Sequence, residues 1–205
     1  MGIGPSLPHE AVIFTYGTEK KGFPNHRLLQ SMFATGYASY LGKYTTLEKF
    51  PLMCGPFKVP FLLNFPGSGH RVSGELYSVN LQALAKIDEF EGTTYERLPV
   101  EVEPAEGNKK PGVTGAEYIG FRPTFEDEMR RKAVVTAYAY FAHRSFAEEM
   151  LRRGGEFLGS YTKQEAAGYV KPAKRPPHVP FMDQIRLFLS SPSSSSSSSG
   201  PALRP

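Results

Sequence analysis

One cysteine, Cys54, stands among 205 residues. No internal disulfide can form, and a reducing, cytoplasmic setting is expected. The N-terminus lacks the basic start and apolar core of a secretory leader. No apolar run approaches the roughly 20 residues that a helix needs to cross a bilayer. The most apolar stretch, Val59-Pro60-Phe61-Leu62-Leu63-Asn64-Phe65-Pro66, is broken by two prolines and an asparagine. A soluble protein without a membrane partner is expected. Five scattered histidines form no His-x-x-x-His or similar cluster, so no metal site is expected. A basic face is also missing. The formal charge is +4, yet residues 1–170 hold 19 Lys+Arg against 19 Asp+Glu, while residues 171–205 hold 5 against 1. A protein that grips phosphates needs positive charge on its folded surface, so no nucleic-acid partner is expected.

The apolar residues are spread over one domain, residues 10–170, long enough for one substantial core. Residues 1–9 carry Gly2, Gly4, Pro5 and Pro8 and are expected as a flexible lead-in. A first strand is expected over Ala11–Tyr16, then a short helix after Asn25 as N-cap. Short β-branched or aromatic segments separated by Gly or Pro follow, around 34–46, 52–54, 61–63 and 72–79, as in a curled sheet or barrel. Pro66-Gly67-Ser68-Gly69-His70 fits a hairpin turn. Helical spacing returns at Leu81, Leu84, Ala85 and Ile87 and stops at Gly92. Two more strands are expected over 95–103 and 133–141, and a helix over 145–153. Residues 171–205, rich in proline and then in serine, are expected as a disordered tail that adds no core. Within it, residues 181–189 have the spacing of a short amphipathic helix. Docking on the domain, binding a protein partner, or neither are all open.

Two features bear on chemistry. Tyr16-Gly17-Thr18 ends the first strand, and a glycine there lets backbone N–H groups turn outward into a concavity for a carboxylate or oxyanion; a plain turn fits the same residues. Asp88-Glu89-Phe90-Glu91 ends the second helix, where the negative end of the helix dipole disfavours anions. A solvated face explains such a cluster. So does one carboxyl group partly buried beside Phe90, with its pKa raised toward that of a general acid/base near neutrality.

At these residues the sequence resembles the γ-glutamylamine cyclotransferases and their plant relatives, the avirulence-induced-gene proteins of the γ-glutamyl cyclotransferase-like superfamily. The likeness runs through Phe14-Thr15-Tyr16-Gly17-Thr18, Lys21-Gly22 and Pro24-Asn25-His26, Phe50-Pro51-Leu52, Val59 to Leu63, Pro66 to Gly69, and Ile87-Asp88-Glu89-Phe90-Glu91-Gly92 with Tyr95 and Arg97. It picks up Tyr138 and Tyr140 and fades after Ser160-Tyr161. The resemblance implies an α+β fold, a small mixed β-barrel with a few flanking helices. It implies a γ-glutamyl substrate whose α-amine attacks its own γ-carbonyl and releases 5-oxoproline, without a cofactor. Glu91 is then the acid/base, Tyr16, Gly17, Thr18 and Glu19 the substrate cradle, and Tyr138 and Tyr161 aromatic wall residues. Glu19 stands where the family usually has leucine. A binding or signalling protein that keeps the barrel but has lost turnover is the alternative.

Overall fold

The computed structural model describes residues 11–105, 125 and 133–191. In chain order its elements are β1 (Ala11–Thr15), α1 (Arg27–Phe33), β2 (Ala38–Phe50), β3 (Leu52–Cys54), β4 (Pro60–Leu62), β5 (His70–Val79), α2 (Leu81–Glu91), β6 (Tyr95–Pro104), β7 (Val135–Ala142), α3 (Arg144–Arg153), α4 (Lys163–Ala167) and α5 (Phe181–Ser190). The strands hydrogen-bond in the order β1-β5-β2-β6-β7, and β1 pairs back onto β7, closing a five-stranded barrel. β7 runs parallel to β1 and to β4, and the other pairs are antiparallel. The barrel is therefore mixed, with β4 and β3 appended along one edge of β7.

β1 is buried along its whole length, which is why it reads as a continuous apolar run rather than an alternating one. Val12 and Phe14 point into the barrel with Leu76, Val100 and Phe141. Ala11 and Ile13 point outward under α1 and α2, against Leu29, Met32 and Ile87. Asn80 caps α2, its side chain accepting the Ala83 N–H at 2.9 Å, and Gly92 ends the helix at φ 57°, a conformation that suits glycine. Residues 66–69 form a turn but not a hairpin, because β4 pairs with β3 and β7 and not with β5. Burial pushes the Cys54 thiol up to about 11. No helix among the described residues is long and apolar enough to cross a membrane.

The C-terminal region differs from the expected tail. Ile185 of α5 is completely buried with Phe61, Phe146 and Met150. Phe181 stacks nearly parallel on Phe61, ring centres 6.4 Å apart, and the Arg153 guanidinium lies 4.3 Å from the Phe188 ring. Ahead of the helix, Arg175 lies over Phe57, Tyr169 and Phe181 at 5.4, 5.6 and 4.6 Å and donates to the Val170 carbonyl at 2.9 Å. Average composition hides this. Prolines over 172–180 stiffen a strap rather than dissolve it, and the apolar residues at 181, 185 and 188 fall on one helical stripe. The packed domain thus continues to residue 191. The lead-in at 1–9, most of the β6–β7 connection and the serine run at 193–199 lie outside the described residues.

Removing residues 171–205 should therefore lower the thermal midpoint clearly, and Ile185→Ala alone should destabilise by about 2–5 kcal/mol. A thermal melt of the truncated chain and chemical denaturation of Ile185→Ala check this; unchanged midpoints in both would mean that α5 contributes no core.

Candidate active site

Where β1 ends, the chain is held by its side chains in succession. The Tyr16 hydroxyl donates to the Tyr140 carbonyl at 2.5 Å and accepts the Leu62 N–H at 3.3 Å. Gly17 then passes so close to β4 that a Cβ on it would stand 2.8 Å from Cγ of Pro60. Glycine is needed here for close approach. The Thr18 hydroxyl accepts from Asn25 Nδ2 at 2.9 Å and donates to Glu19 Oε1 at 2.7 Å. His26 Nδ1 donates to the Glu19 carbonyl at 2.9 Å, since a carbonyl can only accept. Beyond the turn, Lys20 Nζ donates to the Tyr161 carbonyl at 2.6 Å, and the Lys21 N–H to buried Glu75 at 2.7 Å. Asn25, expected as a helix cap, serves this loop instead, and the helix N-cap position falls to His26.

The loop forms one wall of a narrow cleft. Ile87 and Glu91 of α2, Leu28 and Leu29 of α1, Pro60, Tyr95 and Tyr140 complete the lining. Glu91 gets there by helical spacing. Ile87 is buried, and a residue four further on continues its face into the cleft. Glu89 points away into solvent. Asp88 is held outside the cleft wall, accepting from the Tyr140 hydroxyl at 2.7 Å and pairing with Arg97 Nε at 3.0 Å. Phe90 is 43% exposed, so the apolar company of Glu91 is Ile87 and the tyrosines, not the neighbouring phenylalanine. Tyr95 is fixed by donating to the Pro60 carbonyl at 3.0 Å and by stacking on Phe61.

Desolvation in this cleft holds the Glu91 carboxyl well above the ordinary carboxylate range, and the charge of Glu19 adds to the effect. Burial also raises Glu19, against the opposing pull of the Thr18 hydroxyl. Two acids that resist ionisation thus share one site, as in a general acid/base centre. Five of the seven expected site residues, Tyr16, Gly17, Thr18, Glu19 and Glu91, line the cleft together. Tyr138 and Tyr161 do not. Tyr138 is 40% exposed, with the Arg97 guanidinium 4.9 Å from its ring. Tyr161 is fully buried in the barrel, its hydroxyl donating to the Lys58 carbonyl at 2.9 Å. Tyr140, two residues on from Tyr138, and Tyr95 hold the wall positions. Their only signal in the sequence was membership of the same aromatic strand and of the segment just after Glu91. Among the described residues, no three His, Cys, Asp or Glu side chains gather as a metal site.

A family model for "Gamma-glutamyl cyclotransferase, AIG2-like" proteins matches residues 13–158. The chain belongs to this family. An Arabidopsis thaliana protein named a "putative gamma-glutamylcyclotransferase" is 46% identical over 185 residues, covering 88% of this chain and 92% of its own length. The gamma-glutamylaminecyclotransferase of Rattus norvegicus is 44% identical over 123 residues, covering 58% of this chain and 82% of its own length. The crystal structure of an AIG2-like protein from Mus musculus superposes with a TM-score of 0.60 at 30% identity, over 84% of this chain and 99% of the mouse one. The barrel is thus the family fold.

A carboxyl group whose pKa rises on folding binds more protons in the native state than in the unfolded one. Stability then falls as pH rises from the unfolded value, near 4.5 for Glu91, through the raised native one. Glu91→Gln carries no such penalty. It should melt above the wild type at pH 8, with the gap shrinking as pH falls toward about 4.5, a trend that calorimetric melts across pH will show or refute.

Proposed function

We propose that the cleft carries out intramolecular acyl transfer on γ-glutamyl compounds, with Glu91 moving the proton and the loop from Tyr16 to Glu19 receiving the γ-glutamyl group. The observation behind this is the raised carboxyl group of Glu91, which α2 delivers into the cleft lined by the Tyr16–Glu19 loop, in a chain of this family. An α-ammonium group has a pKa near 7.7–8.0 and is mostly protonated at neutral pH. Ionised Glu91 removes one proton, and the freed amine attacks the γ-carbonyl of the same molecule. A five-membered ring closes as the new C–N bond forms. The carbonyl oxygen gains charge, which backbone N–H groups at the cleft wall stabilise. Glu91-COOH then returns the proton to the departing nitrogen as the old amide bond breaks, and the regenerated Glu91 carboxylate takes the second proton from the ring nitrogen and passes it to the released amine, which leaves as an ammonium. The products are 5-oxoproline and an amine or amino acid, and the step is redox-neutral.

The raised pKa of Glu91 fits both halves of this cycle. An ordinary carboxylate is a poor acid partner for an amine, whereas one titrating nearer neutrality serves as acceptor and then donor. The walls contribute by confinement, since Ile87, Leu29 and Pro60 leave a flexible chain little room except to curl toward attack. Tyr95 and Tyr140 are bonded to protein partners through their hydroxyls; they shape the wall and move no proton. A small-molecule substrate is the partner this site requires. The apolar side of residues 181–189, open to a protein partner from sequence, is taken up by the domain itself.

Release of 5-oxoproline from a panel of γ-glutamyl amines, γ-glutamyl dipeptides and glutathione tests the assignment. Glu91→Gln should lower kcat at least 100-fold, the minimum typical of a general acid/base, while Glu89→Gln stays near wild type because its side chain leaves the cleft. In the wild type kcat/KM should fall as pH drops through the raised pKa of Glu91, because protonation removes the base. A Glu91→Gln protein that retains more than about a tenth of wild-type turnover would contradict the role.

A further inference from the structure

The loop after β1 already holds an acid of its own where it would receive that of a substrate. Glu19 folds back over the turn, Oε1 accepting the Thr18 hydroxyl at 2.7 Å. Its Oε2 lies 3.8 Å from where a Cβ on Gly17 would stand, and the carboxylate also accepts its own backbone N–H. These donors are part of the concavity that a glycine turn offers to anions. Among the described residues no cation is bonded to the carboxylate, and the Lys20 charge acts on it only through space. Lys20 Nζ is bonded to the Tyr161 carbonyl and lies 4.7 Å from the Phe23 ring centre, and His26 Nδ1 is spent on the Glu19 carbonyl. Facing the cleft around Glu19 are a second acid, Glu91, and the phenols Tyr16, Tyr95 and Tyr140. Asp88 and Arg97 neutralise each other outside its wall.

We propose that the Glu19 carboxylate is a self-occupant of the cradle, competing as an anion with the α-carboxylate of the substrate for the donors of the loop. The identity of that substrate rests on the γ-glutamyl assignment above. The competition needs only the loop and a carboxylate. When Glu19 is ionised, an entering carboxylate must displace a bonded group and meet a like charge at close range. When Glu19 is neutral, only the hydrogen bonds have to be exchanged. Substrate affinity therefore declines as pH rises through the titration of Glu19, whose buried carboxyl ionises later than an ordinary one. Glu19 is in this sense a specificity-determining residue. It disfavours ligands that present a carboxylate to the turn more than ligands that present a neutral group.

The experiment uses the full chain as wild type, Glu19→Gln and Glu19→Leu, each with a thermal melt. At pH 8 and at steps down toward pH 4.5, KM and kcat are measured for 5-oxoproline release from a γ-glutamyl amine, and affinity for 5-oxoproline itself is measured by titration calorimetry. Both variants should show a KM and a 5-oxoproline Kd at least about 10-fold lower than wild type at pH 8, equivalent to about 1.4 kcal/mol. The gap should narrow as pH falls toward 4.5, the ordinary value for this group, and the gain should fall on KM more than on kcat. Glu19→Leu, which offers neither charge nor hydrogen bond, guards against a Gln side chain that merely keeps the seat. If neither variant binds 5-oxoproline more tightly or lowers KM, the self-occupancy is wrong whether or not the wild type turns over. If the variants tighten 5-oxoproline binding while no γ-glutamyl compound is turned over by any form, the self-occupancy stands and the cyclotransferase assignment fails.

Discussion

Along one edge of β7 the pairing partner changes from β1, at Tyr138, to β4, at Phe141, and neither strand covers the backbone between. The Tyr16 hydroxyl fills that gap, donating to Tyr140 on β7 and accepting from Leu62 on β4. One side chain thus satisfies a carbonyl and an N–H that the sheet leaves unpaired, each of which would cost about 1–3 kcal/mol if buried alone. The site follows from this placement. With the Tyr16 side chain drawn into the seam, Gly17 is pressed onto Pro60, and Gly17, Thr18 and Glu19 line the cleft. Glu91 reaches the same point from the opposite side because Ile87 anchors its face of α2.

The electrostatics of the cleft work against the fold that builds it. A half-buried carboxyl group beside a second one is poorly solvated and loses stability when it ionises. Such strain is retained where chemistry needs it. The surrounding structure absorbs it through neutral fastenings: Asp88 is matched by Arg97, and the wall tyrosines are bonded to carbonyls or to Asp88. α5 joins this support at a distance, since Phe181 stacks on Phe61, and Phe61 in turn stacks on Tyr95 at 5.3 Å. A helix beyond the family-matched span therefore packs behind the cleft wall.

Much of this was legible before the structure. The buried run of β1, the helix ended by Gly92 and the glycine after Tyr16 carry local signals that tertiary packing reinforces, and the mixed barrel and the pairing of loop with Glu91 followed from the ordered resemblance. What was not legible depended on contacts distant in sequence. Tyr138 and Tyr140 are equivalent by local pattern, and only the covering by α2 makes one a wall and leaves the other in solvent. Tyr161 looked like a wall aromatic and is a core strut. The prolines and serines of residues 171–191 carry no sign of order, which comes from cation–π stacking of Arg175 and from burial of one isoleucine. Phe90 seemed the natural neighbour of Glu91 because it precedes it, but adjacent helical residues face different ways.

The central claim is that Glu91 sits in the cleft as a carboxyl group reluctant to ionise. The direct measurement is a carbon-13 NMR titration of the glutamate side-chain carboxyls of the full chain, with the Glu91 resonance assigned by its loss in Glu91→Gln. The account predicts a midpoint well above 4.5, the ordinary value for this group. A Glu91 midpoint at or below that value would contradict it, because a readily ionised carboxylate would be neither buried in the cleft nor suited to return a proton there.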